Sequence, residues 1–215
     1  MMNRLLVLAT CLACVLSSPL EKKDSVKLTV FYESYCPYSI DFIDKQLYGA
    51  WNYFKKHLQV DLVPFGNAEQ TYENGHFVFR CQHGPKECVG NILHSCAIYE
   101  ACGKRGTLHC PVPKLKKAMD YIDCVIDQED QQKASDQCAT KAGLVPKVIN
   151  KCANGKLGEW LESGYGNQTN AFNKPPVTYV PFIVINGKHT EKTQDEAQKD
   201  LKALICKYIP DQCKK

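Results

Sequence analysis

The chain of 215 residues has no long apolar run. Its longest, Leu5 to Leu16, spans twelve residues, short of the roughly twenty a helix needs to cross a bilayer. No membrane span is therefore expected. Charge of one sign is also lacking: the formal net charge is +4, too weak a bias to argue for a nucleic-acid partner. No His-x-x-x-His pair is present, and the one Cys-x-x-Cys, Cys11–Cys14, lies inside the N-terminal apolar run. The usual short zinc patterns are thus missing from the rest of the chain, and no metal is expected.

The N-terminus carries Arg4, the apolar run and then the small residues Ser17-Ser18, the order of a secretory signal over about residues 1–18, with Pro19 just beyond. Cleavage would remove Arg4, lowering the net charge from +4 to +3, and would remove two of the thirteen cysteines. Eleven remain, an odd number. Setting Cys36 aside leaves Cys81, Cys88, Cys96, Cys102, Cys110, Cys124, Cys138, Cys152, Cys206 and Cys213, enough for five disulfides around one free thiol in an oxidising compartment. With 44% hydrophobic residues, residues 19–215 can bury one core as a single domain.

Around Cys36 the residue order is that of a reactive site. Leu28 to Tyr32 is β-branched and aromatic, and strand one is expected over Lys27–Ser34. Cys36-Pro37-Tyr38-Ser39 then turns into a helix running to about His57, with Ile40, Ile43, Leu47, Tyr48, Trp51 and Phe54 on one face. Pro37 suits a first helical turn. A thiol at a helix N-terminus meets unpaired N–H groups and the positive end of the dipole, which favour the thiolate. The bland alternative for Cys36 is one more disulfide cysteine. Tyr35 and Tyr38 would give it a half-buried aromatic setting, serving as a groove or as plain packing. Leu58 to Phe65 alternates as strand two, completing a parallel strand–helix–strand unit.

Residues 66–74 read as a polar, turn-rich connection, and His76–Arg80 as a short strand or extended arm. From Gly84 to about Cys152 the pattern is helical, with Cys110, Cys124, Cys138 and Cys152 recurring every fourteen residues, a spacing that can staple paired helices. Residues 162–176 read as a surface loop holding the sequon Asn167-Gln168-Thr169. Phe182 to Ile185 is a buried strand, Asn186-Gly187 a hairpin signal, and Gln194–Tyr208 a final helix. Val180-Pro181 precedes that strand as a cis-proline does in thioredoxin-like folds, where it offers backbone groups to an extended substrate. The ordinary reading is a trans proline opening a strand, but the Cys-Pro-x-Ser turn upstream and the strand, hairpin signal and helix downstream favour cis.

The run Cys81-Gln82-His83-Gly84, then Glu87-Cys88, Asn91 and Cys96, is the most specific in the chain. Cys, His and Glu together raise a zinc site as the rival reading. With no knuckle and an oxidising route, disulfides account better for the cysteines, and His83 and His94 read as hydrogen-bonding or surface groups. This run resembles the signature of the gamma-interferon-inducible lysosomal thiol reductase family, and the resemblance extends from about Leu28 to Cys213.

Membership would imply an α/β, thioredoxin-like fold with a helical, disulfide-rich insertion at about 84–175. It would imply a thiol reductase acting on protein disulfides in acidic endosomes and lysosomes, without a cofactor. Cys36 falls on the family's nucleophile, with Tyr35, Pro37, Tyr38, Val180 and Pro181 lining the substrate site. Ser39 stands where a resolving cysteine is expected, and its hydroxyl could at most support the Cys36 thiolate. Three outcomes are open for a mixed disulfide on Cys36. A small thiol such as cysteine or glutathione releases it, the substrate's own freed thiol returns, or it persists. The last would suit a non-catalytic secreted binding or immune-modulating protein on the same scaffold.

Overall fold

The structure is a computed structural model describing residues 24–214; the expected signal, with Cys11 and Cys14, lies outside the described residues. A three-stranded sheet sits at the centre, in the order β2 (Leu58–Pro64), β1 (Val26–Tyr32), β5 (Phe182–Ile185). β1 runs parallel to β2, with Val30 opposite Leu62, and antiparallel to β5, with Val30 opposite Ile183. The period-two pattern fills both faces. Leu28, Val30, Tyr32, Val60, Leu62, Ile183 and Ile185 join the main core, whereas Phe31, Val63, Phe182 and Val184 form a smaller cluster on the other side.

The chain between β1 and β2 is helical, comprising α1 (Pro37–Phe42), a π-helical turn (Ile43–Leu47) and α2 (Tyr48–Phe54). Its apolar stripe buries Ile43, Leu47, Trp51 and Phe54 against the sheet. The expected strand–helix–strand unit is present, and β1 is parallel to β2 as expected.

β3 (Glu69–Glu73) and β4 (His76–Arg80) pair as a separate antiparallel hairpin. β3 corrects the expectation of a structureless connection. Its residues are polar and largely exposed on both faces, so no alternation marks them, but Asn74-Gly75 turns with φ of 50° and 84°, a hairpin signal in the sequence.

Five helices follow: α3 (Pro85–Cys102), α4 (Val112–Ile126), α5 (Gln131–Lys141), α6 (Pro146–Ala153) and α7 (Lys156–Ala171). Disulfides tie α3 to α6 through Cys96–Cys152 and α4 to α5 through Cys124–Cys138, while Cys81–Cys88, Cys102–Cys110 and Cys206–Cys213 close short loops. Only Cys124–Cys138 joins neighbours in the fourteen-residue series.

α7 corrects the loop expected from residue 162. Its inward face is built from Gly158, Glu162, Ser163, Gly166 and Thr169, small or polar residues that resemble loop composition. A Cβ on Gly166 would stand 2.7 Å from the Phe65 ring, so glycine there permits close packing rather than a turn. Asn186-Gly187 adopts φ of 50° and 77°, but only a single bridge, Ile185 to Lys188, follows, and no second strand forms. The chain passes instead into α8 (Glu191–Tyr208), opened by a Thr190–Thr193 capping box.

Candidate active site

β1 stops at Tyr32, earlier than the expected Ser34, because side chains capture the next backbone groups. The Ser34 N–H donates to Asn91 Oδ1 at 2.9 Å and its hydroxyl to the Glu87 carbonyl at 3.1 Å. Gln131 Nε2 donates to the Ser34 carbonyl at 2.6 Å, and the Gln131 N–H donates to the Tyr35 hydroxyl at 2.9 Å. Every one of these partners belongs to α3 or α5. The helices between β4 and β5 therefore hold the turn that presents Cys36.

Cys36 is the N-cap residue of α1, its carbonyl accepting the Ile40 N–H at 3.0 Å. It is the one free cysteine among the described residues and is 5% exposed. Its Sγ lies 3.7 Å from the Val180 carbonyl oxygen, and the Val180–Pro181 bond is cis. The buried Gln194 amide spans this loop. Its Nε2 donates to the Pro181 carbonyl at 2.9 Å and its Oε1 accepts the Ile183 N–H at 2.9 Å. His189 stacks on Phe182 at 3.8 Å and takes the Ile183 carbonyl with Nδ1 at 2.8 Å. Thus α8 and β5 place Val180 over the thiol.

Ser39 is fully buried, and its Oγ accepts the Glu33 N–H at 3.4 Å while the Cys36 sulfur bonds to Val180. The hydroxyl–sulfur bond that Ser39 could have offered is not made. Tyr35 is half-buried as expected, but Tyr38 is 72% exposed and Pro37 is exposed, so neither packs around the thiol.

The signature residues converge on the same turn. The Cys81–Cys88 disulfide closes the loop that carries His83, and Gly84 precedes α3 at φ 88°, a left-handed conformation that favours glycine. The Gln82 side chain accepts from Asn67 Nδ2 at 3.1 Å. Glu87 and Asn91 hold Ser34, while Cys96 lies deeper in α3 as the partner of Cys152. The cysteines of this run are in disulfides, which answers the zinc reading for them. His94 is buried, not on the surface, with Nδ1 3.1 Å from the Tyr32 hydroxyl.

One group that the motif left out stands at the centre. Glu33, fully buried, accepts the Asn67 N–H with Oε1 at 2.7 Å. Burial and the neighbouring Glu87 carboxylate push its carboxyl up to about 7, against the pull of Asn67 and His83. His83 Nδ1 is 2.6 Å from Glu87 Oε2 and 3.3 Å from Glu33 Oε2. A charged residue between an apolar strand and a reactive cysteine was the available signal for Glu33. Gln131 and Gln194 had none, since their partners are set by tertiary packing. Asn167, expected in a loop, is instead exposed on α7, its Oδ1 accepting from Gln70 at 3.0 Å.

The family model for gamma interferon inducible lysosomal thiol reductase (GILT) matches residues 27–142. The chain belongs to this family. A GILT from Carassius auratus is 34% identical over 84% of this chain and 67% of its own. A GILT-like protein from Anopheles gambiae is 30% identical over 88% and 79%, and a gamma-interferon-responsive lysosomal thiol protein from Arabidopsis thaliana 34% over 86% and 71%. Among solved structures, DsbA from Chlamydia trachomatis superposes with a TM-score of 0.54 at 14% identity, over 88% of this chain and 87% of that one. The fold is thioredoxin-like, with a helical, disulfide-rich region. GILT membership places the chain among thiol–disulfide oxidoreductases, whose chemistry needs no prosthetic group and whose substrates are proteins with disulfides. Among the described residues no helix is long and apolar enough to cross a membrane.

Proposed function

We propose that this chain is a monothiol reductase of protein disulfides, with Cys36 as nucleophile and a small external thiol completing the reaction. The observation that carries this reading is the pairing of the free Cys36 sulfur with the Val180 carbonyl across the cis-proline loop, with a serine at position 39. An extended substrate segment would pair with the Val180 backbone, bringing its disulfide over Cys36. Pro37 and Tyr38, exposed beside it, and Tyr35 and Pro181 would line the contact.

The Cys36 thiolate attacks one substrate sulfur, forms Cys36–S–S–substrate and expels the other sulfur as a thiolate, which takes a proton. A hydroxyl cannot displace sulfur, so Ser39 does not resolve this bond. One external thiolate, of the cysteine or glutathione class, attacks the Cys36 sulfur and frees the substrate's second thiol. Another external thiolate attacks the resulting mixed disulfide, returning Cys36 and leaving the external thiol as its own disulfide. Two external thiols are oxidised for each substrate disulfide reduced. The expected signal, the sequon at Asn167 and the family together favour work in the secretory pathway or an acidic lysosomal compartment, or outside the cell.

The test is reduction of a model disulfide protein at acid and neutral pH with increasing free cysteine. Wild type should turn over at a rate that rises with the external thiol. Cys36→Ser should fall to background, and Ser39→Cys should become less dependent on the external thiol. Equal rates for all three proteins would end the enzymatic reading. Alkylation of the unreduced protein should label Cys36 and spare the ten disulfide cysteines.

A further inference from the structure

We propose that Glu33, Cys36 and His83 form a binding site for a zinc-type divalent cation that caps the reactive sulfur. The three residues each offer one ligand atom, and those atoms lie within 4.8 Å of one another. They are brought together from two places in the chain, the turn after β1 and the disulfide-closed loop before α3.

Thiolate, imidazole and carboxylate are the ligand types that zinc takes, and three protein ligands with a fourth position open is a common arrangement for it. Calcium or magnesium would call for oxygens alone. Tetrahedral zinc with its usual bond lengths sets ligand atoms roughly 3.3 to 3.6 Å apart. Glu33 Oε2 and His83 Nδ1 stand at 3.3 Å, which brings the imidazole beside Glu33, while Nδ1 itself is held by Glu87 at 2.6 Å. The His83 side chain is 35% exposed, and closure would require it to rotate so that Nε2 faces Glu33 and Cys36.

Two further observations point to a cation. First, Glu33 Oε2 is buried with no hydrogen bond that meets normal geometry, its one polar neighbour being His83 Nδ1 at 3.3 Å, while Oε1 is satisfied by Asn67. A fully buried carboxylate oxygen left without a donor is costly. Second, Glu33 and Glu87 are both fully buried and have one imidazole between them as an ion-pair partner. A divalent cation bound to Glu33 and the Cys36 thiolate would bring those two charges and its own to zero.

Glu87 would then act on the histidine, not on the metal. It accepts the His83 N–H of the backbone at 3.0 Å and sits 2.6 Å from Nδ1. Ligating histidines are ordinarily oriented in this way by a carboxylate on the other ring nitrogen, which leaves Nε2 for the cation. Binding displaces the Cys36 proton and ties up the sulfur lone pair, so metal binding and disulfide attack exclude each other. The site does not depend on the reductase reading, since it can fill in a protein that turns nothing over.

The intact protein, with its disulfides oxidised and Cys36 unmodified, would be titrated with cobalt(II). One equivalent should bring up a near-ultraviolet thiolate-to-cobalt band and the visible bands of a tetrahedral ion, and zinc(II) should abolish both. Cys36→Ser should lose the thiolate band, and His83→Ala, with its fold checked by circular dichroism, should bind about tenfold more weakly or worse. Glu87→Gln should weaken binding by about ten- to a hundredfold, as loss of such an orienting carboxylate does. Zinc should slow Cys36 alkylation, and a chelator should restore it. Absence of the thiolate band, or equal affinity in wild type and His83→Ala, would overturn the site. A protein that reduces disulfides but shows no such band would keep the proposed function and lose this one.

Discussion

His94 makes the fold sensitive to acid, and the size of the effect follows from its surroundings. The ring is fully buried between Tyr32 and Tyr121, with Nδ1 against the Tyr32 hydroxyl. Burial lowers its pKa from 6.5 to about 3, against a smaller opposing pull from Gln131. The folded state therefore keeps His94 neutral at pH values where the unfolded chain has already protonated it. Stability is fully present above 6.5 and is lost as pH falls towards 3. Between about pH 7.5 and about pH 4.5 the unfolded histidine gains a proton the folded one refuses, a loss of about 2.7 kcal/mol. Any folded pKa below about 4 gives nearly the same figure. Urea unfolding of wild type and His94→Gln, without reductant, would be measured at both pH values. The variant will be weaker at neutral pH through lost packing, but its deficit should shrink by about 2.7 kcal/mol on acidification. The other titrating groups are common to both proteins and cancel in that double difference. Parallel losses in the two proteins would refute the reasoning.

Other consequences are as direct. Glu162, buried beside Ser95 with its Oε2 accepting the Ser95 hydroxyl at 2.8 Å, has its pKa raised well above the usual value by burial. Its charging cost appears only as pH rises above the ordinary carboxyl range, so Glu162→Gln should gain stability relative to wild type with rising pH, read from paired urea midpoints. Gln194→Ala leaves the Pro181 carbonyl and the Ile183 N–H without partners, which should cost about 2 to 4 kcal/mol and slow disulfide reduction with Cys36 still alkylatable. A Cβ on Gly90 would stand 2.4 Å from Ser34 Oγ and 2.7 Å from Gln131 Oε1. Gly90→Ala should thus destabilise by about 1 to 3 kcal/mol and change the Cys36 alkylation rate, whereas Gly49→Ala, in open space on α2, should do neither.

What could be read from the sequence was whatever neighbours along the chain decide. Leu28 to Tyr32, the Ile40–Phe54 stripe, the odd thiol at Cys36 and the strand after Val180-Pro181 each carry a local pattern, and each lies where that pattern put it. α7 was hidden because its buried face includes Gly158, Ser163, Gly166 and Thr169, which signal loops unless one knows that Phe65 presses on Gly166 and Ile92 on Gly158. β3 was hidden because neither of its faces is apolar. Which cysteines pair, why Glu87 and Asn91 accompany the motif, and how His83 reaches Glu33 depend on residues far apart in the chain, and spacing says nothing about them. Ser39 was correctly seen to lack a thiol, but the bond it makes to the Glu33 backbone follows from the turn geometry.

The depth of the Cys36 sulfur has a consequence for which disulfides can be touched at all. At 5% exposure and covered by Val180, it sits in a recess rather than on a knob. Disulfide exchange needs the attacking sulfur in line with the bond it breaks. A rigid, convex protein surface cannot lower its disulfide into that recess, whereas a loosened stretch of chain can lie along the cis-proline edge and do so. Under the proposed function the recess would therefore sort client proteins by their folding state, sparing native ones and reducing unravelling ones.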